Sequence, residues 1–213
     1  MVGILIDYVL HLDHHLLALV HDYGLWANAI LFLVIFSETG FVVTPFLPGD
    51  SLLFVAGTLC AAGQLDIVLL LVVLIAAAVL GNQVNFFVGR VLGPFVAQRG
   101  WLRRDYLRRT ELFFARHGGK TIVLSRFVPI VRTYAPFVAG LGSMPLSTFA
   151  VFNVLGGTLW VGSLLWAGFF LGNLPLVRDN LTLVLLGIVV VSLLPAVMEV
   201  WRARRARCLR DAR

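Results

Sequence analysis

The sequence predicts an all-α fold: a polytopic membrane helical bundle with two inverted repeats, each a re-entrant helical hairpin plus a spanning helix, and interfacial amphipathic helices beside them. Three observations predict it. The chain is 60% hydrophobic and 13% charged, with mean hydropathy +0.94, about half the charged fraction of an ordinary soluble domain. Lysine and arginine are absent before Arg90, whereas Asp7, Asp13, Asp22, Glu38, Asp50 and Asp66 all fall there. Finally, Phe54-Val55-Ala56-Gly57 returns as Phe137-Val138-Ala139-Gly140, each time after a proline-containing break in an apolar stretch.

Length suits a single membrane domain over 1–213,. The net charge of +6 and pI near 10.1 would suit nucleic acid if spread over a surface, but the basic residues gather at Arg99–Lys120 and Arg202–Arg213. That asymmetry is the positive-inside pattern. It places the C-terminus in the cytoplasm and the N-terminus outside, and argues against a nucleic-acid partner. Cys60 and Cys208 then lie on opposite sides of the membrane, so no disulfide is expected, and no cysteine spacing suits a metal,.

Residues 1–22 read as an interfacial helix. Ile4, Leu5, Tyr8, Val9, Leu12, Leu16 and Leu19 recur at helical spacing, with Asp7, His11, His14, His15 and Asp22 on the other face,. A cleavable signal peptide is disfavoured, since a basic start and a small-residue cleavage site are both missing,. His11 and His15 stand one turn apart, but no third ligand follows at suitable spacing, and a wetted interfacial face is the better account,.

Residues 25–63 form the first hairpin. An apolar arm over 25–43 carries Ser37, Glu38 and Thr39, and a turn over Pro45–Asp50 holds Pro45, Pro48 and Gly49. The second arm, 51–62, is about 18 Å long and too short for a hydrocarbon core of about 30 Å. Proline and glycine unsettle a spanning helix, and broken backbone at membrane depth survives only inside protein or beside water. Hence the chain enters, turns and leaves by the same side.

Residues 67–90 form a span ending near Gly81-Asn82-Gln83-Val84-Asn85 and Gly89-x-x-x-Gly93. Its amides suit either a cavity lining or bonds to a neighbouring helix. Residues 99–119 follow as a cytoplasmic amphipathic helix with Tyr106, Phe113 and Phe114 on its apolar face, closed by Gly118-Gly119,. The second hairpin, 120–142, contains Ser125-Arg126-Phe127-Val128-Pro129-Ile130-Val131-Arg132-Thr133 and has Pro129 and Pro136 as its turn residues. Spans over 146–172 and 181–201 and a basic cytoplasmic tail over 202–213 complete the chain.

One crossing separates the two hairpins, so the second is inverted relative to the first. Gly168-x-x-x-Gly172 in the later span echoes Gly89-x-x-x-Gly93. Inverted repeats whose broken helices meet near the midplane are a transporter architecture. Glu38, Asp50, Arg126 and Arg132 would each cost about 2.5–3.5 kcal/mol at a helix centre, together roughly 10 kcal/mol. Two acids on one hairpin and two arginines on the other compensate one another, which makes these four the candidate transport site. The bland alternative has the arginines snorkelling to the surface and Asp50 capping a helix that begins at Ser51.

Glu38, then Pro45-Phe46-Leu47-Pro48-Gly49-Asp50-Ser51-Leu52-Leu53, Gly89-Arg90 and Ser125-Arg126-Phe127-Val128-Pro129-Ile130-Val131-Arg132-Thr133 together resemble the DedA family, also called SNARE-associated or VTT-domain proteins. The resemblance runs over roughly residues 25 to 172, with Ser125 standing where a glycine often precedes the arginine. It implies a multi-pass protein of the bacterial inner membrane that moves lipid between leaflets, undecaprenyl phosphate among the substrates, with protons as the coupled species and no other cofactor. It places the functional acids on Glu38 and Asp50 and the functional arginines on Arg126 and Arg132.

On that reading the arginines grip a lipid phosphate by charge-assisted hydrogen bonds. The acids neutralise them when the site is empty and take up protons when the headgroup enters. A proton-coupled ion or small-solute transporter using the same charged midplane is the alternative. An enzyme is disfavoured: covalent chemistry wants a nucleophile with a positioned base, and His117 is the one histidine beyond the N-terminal segment. A non-catalytic scaffold would tolerate neutralising all four charges.

Overall fold

The computed structural model describes residues 26–40, 49–98, 118–142, 144–172 and 174. The interfacial helix expected at 1–22, Pro45 and Pro48, the amphipathic helix of 99–119 apart from its closing glycines, and the last span with its basic tail lie outside the described residues.

Six helices are present among them: α1 (Trp26–Gly40), α2 (Gly49–Ala61), α3 (Ile67–Gln98), α4 (Lys120–Ser125), α5 (Pro129–Leu141) and α6 (Leu146–Leu171). Local chemistry marks their ends. Gly63, at φ 74°, follows α2; its N–H reaches the Cys60 carbonyl and the Gln64 N–H reaches that of Leu59, the paired bonds of a Schellman C-terminus. Asp66 caps α3 by accepting from the Leu69 N–H at 2.7 Å,. Instead of stopping at Arg90, α3 continues to Gln98. Gly89 adds no left-handed turn, since positive φ occurs among the described glycines at Gly63 and Gly118.

The break between α4 and α5 falls at Arg126–Val128. Val128 is extended, with φ −118° and ψ 106°, and Pro129 opens α5, as the restriction on a residue before proline and the fitness of proline for a first helical turn require. Pro136, expected at the turn, instead stands inside α5. A helix tolerates it there at the loss of one backbone bond: the ring withdraws the N–H that the Arg132 carbonyl would have accepted.

The long helices α3 and α6 touch each other, and each carries two of the shorter helices. On α3 lie α1 and α5; on α6 lie α2 and α4. The two short-helix pairs, α1 with α2 and α4 with α5, also meet. Glycines permit the closest approaches. A Cβ on Gly57 would overlap the Leu165 carbonyl, and one on Gly168 the Phe54 carbonyl; likewise Gly140 faces the Phe86 carbonyl and Gly89 that of Phe137. Thus α2 runs parallel to α6, with Asp50 beside Trp160 and Thr58 beside Gly172, and α5 runs parallel to α3, with Thr133 beside Asn85 and Phe137 beside Gly89; the repeated Phe-Val-Ala-Gly supplies the contact in both places.

One apolar cluster gathers Leu31, Ile35, Leu53, Phe54, Leu74 and Leu165. Another centres on Phe86 and Phe149, stacked with ring centroids 4.2 Å apart. Outward faces are apolar too: Val68, Val72, Val84 and Val91 on α3 and Val151, Leu155, Leu159 and Phe170 on α6 are exposed. Buried instead are Glu38, Asn82, Asn85, Arg126, Arg132 and Asn153. Water does not solvate such an exterior favourably, whereas lipid does. Ile67–Leu92 and Leu146–Leu171 are each long and apolar enough to cross a membrane.

Candidate functional site

Three of the four sequence-predicted charges converge on one point. Glu38 lies near the C-terminal end of α1, Asp50 in the first turn of α2 and Arg132 in the first turn of α5. Arg132 Nη1 donates to Asp50 Oδ1 at 2.7 Å, and Nη2 donates to Glu38 Oε1. A planar guanidinium can serve two carboxylates at once because its donors point in fixed, diverging directions. Helix dipoles favour Asp50 at the start of α2 but oppose Glu38 at the end of α1. Glu38 gains its compensation from Arg132 and from the N-terminus of α2, where the Gly49 backbone lies so close that a Cβ would overlap the carboxylate. Gly49 is therefore a packing requirement of the site.

Asp50 does not cap a helix beginning at Ser51, since α2 already begins at Gly49. Nor do the arginines snorkel: Arg126 is 1% exposed and Arg132 7%.

Trp160 on α6 joins the cluster although sequence reasoning missed it. Its indole N–H donates to Asp50 Oδ1 at 2.9 Å, and its ring centre lies 4.6 Å from Arg132 Cζ. The available signal was chemical: a buried tryptophan needs an acceptor for its N–H, and in a span few are on offer.

Arg126 departs from the expectation that two acids would balance two arginines. Both acids go to Arg132. Arg126 sits in the break before α5 and reaches toward the crossing of α3 and α6, where Nη2 donates to Asn153 Oδ1 at 2.6 Å. Asn153 Nδ2 donates to the Val79 carbonyl at 3.0 Å, and Asn82 Nδ2 donates to Asn153 Oδ1 at 3.2 Å. Asn85 Nδ2 donates to the Thr133 carbonyl at 2.9 Å and, more weakly, to that of Thr39 at 3.4 Å. It ties backbone beside Arg132 to backbone beside Glu38. Asn82 and Asn85 of α3 thus bond neighbouring helices, one of the two roles open to the amides from sequence.

Among the described residues no group of three or more His, Cys, Asp or Glu is placed to hold a metal. Arg132 with its acids and Trp160, and Arg126 with its amides, can bind anions or exchange partners through hydrogen bonds.

An apolar exterior around buried, hydrogen-bonded charges defines an integral membrane protein of helical type. The VTT domain model matches residues 47–171. The chain is 52% identical over 207 residues to protein DedA of Escherichia coli K12, covering 95% of this chain and 94% of that one. It is 41% identical over 190 residues to an uncharacterised membrane protein of Mycobacterium leprae, with 86% and 85% covered. Inner membrane protein YghB of E. coli K12 is 35% identical over 177 residues, with 82% and 78% covered. No solved structure matches. The chain belongs to the DedA family of membrane proteins.

Proposed function

We propose that the protein is a lipid transporter of the bacterial inner membrane that moves an anionic, phosphate-bearing headgroup between leaflets, undecaprenyl phosphate foremost. It acts by binding and conformational change without covalent chemistry, and protons are the coupled species. The observation that carries this reading is the convergence of Glu38, Asp50 and Arg132 from three helices of two hairpins onto one buried cluster. Buried ionisable groups at membrane depth are costly and are retained where a substrate or ion passes.

The two hairpins are re-entrant and inverted copies, each built around one Phe-Val-Ala-Gly. Support for this comes from the packing: exchanging α1 with α4, α2 with α5 and α3 with α6 turns α1 on α3 into α4 on α6, and α2 on α6 into α5 on α3. The paired glycine contacts obey the same exchange. An anionic headgroup entering between the repeats competes with Glu38 and Asp50 for Arg132. As those carboxylates take up protons, Arg132 turns to the phosphate, and the hairpins part on one side. The basic segments place the C-terminus in the cytoplasm and the N-terminus outside.

Purified protein in liposomes carrying labelled undecaprenyl phosphate, or labelled glycerophospholipid, tests the reading. Wild type moves the polyprenyl phosphate across the bilayer faster than protein-free vesicles do, and Arg126→Ala does not. A wild-type rate equal to that of protein-free vesicles for both lipids would sink it.

A further inference from the structure

The two arginines differ in what surrounds them, and the difference assigns a role to a residue outside the charged set. Arg132 is closed by two carboxylates. Among the described residues no carboxylate pairs with Arg126, which is bonded through Nη2 alone, to the Asn153 amide oxygen at 2.6 Å and to the Ala78 and Asn153 carbonyls at a long 3.4 Å. Among the described residues its buried Nε and Nη1 donors have no hydrogen-bond partner. We infer that Asn153, braced by Asn82, is a positioning residue that orients the Arg126 guanidinium without neutralising it, so that Arg126 is the cation that first accepts the phosphate while Arg132 is the latch its carboxylates hold shut.

The choice of amide is the point. Asn153 Nδ2 is committed to the Val79 carbonyl and its Oδ1 also accepts from Asn82, so the oxygen faces Arg126 and cannot rotate away without breaking both bonds. A carboxylate in that place would hold the guanidinium equally well but would cancel its charge. Gly156 and Gly157 lie against the same guanidinium: a Cβ on Gly156 would come within 3.4 Å of Nε, and one on Gly157 within 3.4 Å of Nη2. Buried donors left without acceptors destabilise a fold. A tetrahedral oxyanion supplies acceptors at the angles a guanidinium requires. The chemistry is that of a phosphate monoester, from a lipid headgroup or from free phosphate.

This inference rests on the phosphate reading above, and the test separates the two. Thermal unfolding of detergent-solubilised protein is followed with farnesyl monophosphate, inorganic phosphate or farnesol. Wild type is stabilised by farnesyl monophosphate and not by farnesol; a shift with inorganic phosphate as well identifies the free anion as a ligand, and its absence identifies the lipid headgroup. Asn153→Asp unfolds at or above the wild-type temperature without ligand, because a carboxylate now pairs with Arg126, yet its affinity for farnesyl monophosphate falls at least tenfold. A merely structural Asn153 predicts equal or better stability with unchanged affinity, and that result overturns the inference alone. Should Asn153→Asp fail to fold, Asn153→Ala decides: weakened affinity supports the inference and wild-type affinity overturns it. A wild type indifferent to both phosphates overturns the phosphate reading and this inference with it.

Discussion

The indole ring of Trp160 stacks on the guanidinium of Arg132, ring centre to Cζ 4.6 Å, while its N–H holds Asp50 at 2.9 Å. One side chain from α6 thus grips both members of an ion pair formed between α2 and α5. A cation–π contact contributes about 0.5–2 kcal/mol, and a hydrogen bond to a charged group about 1.5–3 kcal/mol. Trp160→Phe keeps the first and loses the second, so transport in proteoliposomes should fall about tenfold to a hundredfold, 1.4 kcal/mol being tenfold. Trp160→Leu loses both and should fall further, with a lower unfolding temperature. Equal rates for the two variants would show that the N–H, not the ring, is what matters.

Arg132 serves Glu38 and Asp50 through different nitrogens. A lysine in its place keeps the charge and loses the fork. Arg132→Lys should insert normally, judged by membrane-fraction yield, and transport at least tenfold more slowly. Wild-type transport would mean that charge alone suffices.

Breaking a buried pair by removing one partner typically costs about 3–5 kcal/mol, mostly because the survivor is stranded. Glu38→Gln and Arg132→Gln should each lower the unfolding temperature. The double variant should recover part of the loss, giving a coupling of about 0.5–3 kcal/mol in a double-mutant cycle. Additive losses would deny the pair any energetic coupling.

Proton coupling through the acids makes a separate prediction. The transport rate of the wild type should vary with pH across the range where its carboxylates exchange protons. Glu38→Gln combined with Asp50→Asn removes both titrating groups and should flatten that profile along with lowering the rate. A profile that survives the double substitution assigns the pH dependence to other groups.

The glycine contacts allow a test of the repeat. Gly89 and Gly168 abut the carbonyls of Phe137 and Phe54, while nothing lies within 4 Å of a Cβ on Gly162. Gly89→Ala and Gly168→Ala should each destabilise by about 1–3 kcal/mol, the range of overpacking in a tight interior. Gly162→Ala should be near neutral or mildly stabilising. Thermal unfolding in one detergent compares all three.

Much of this architecture was legible in the residue order. Hydropathy and the late onset of basic residues identify an all-helical membrane protein, and runs such as Ile67–Leu80 admit little but a helix in lipid, where the backbone must satisfy itself. Glu38, Asp50, Arg126 and Arg132 stood out because charge inside an apolar segment demands an explanation. Pro129 announced a break because the residue before a proline is driven to extended backbone. Pro136 misled, since a proline marks a turn only where tertiary packing does not hold the helix together around it.

By itself, then, the sequence determined the lipid-facing helical class and singled out the charged residues, because those follow from local chemistry and the cost of burying polar groups. Only the tertiary structure decided how the charges pair. Both acids go to Arg132, Trp160 seals that pair, and Arg126 turns to Asn153 and Asn82. The reason is geometric. Whether a guanidinium meets a carboxylate or an amide depends on which helices cross beside it, and that is set by glycine contacts between residues as far apart as Phe54 and Gly168.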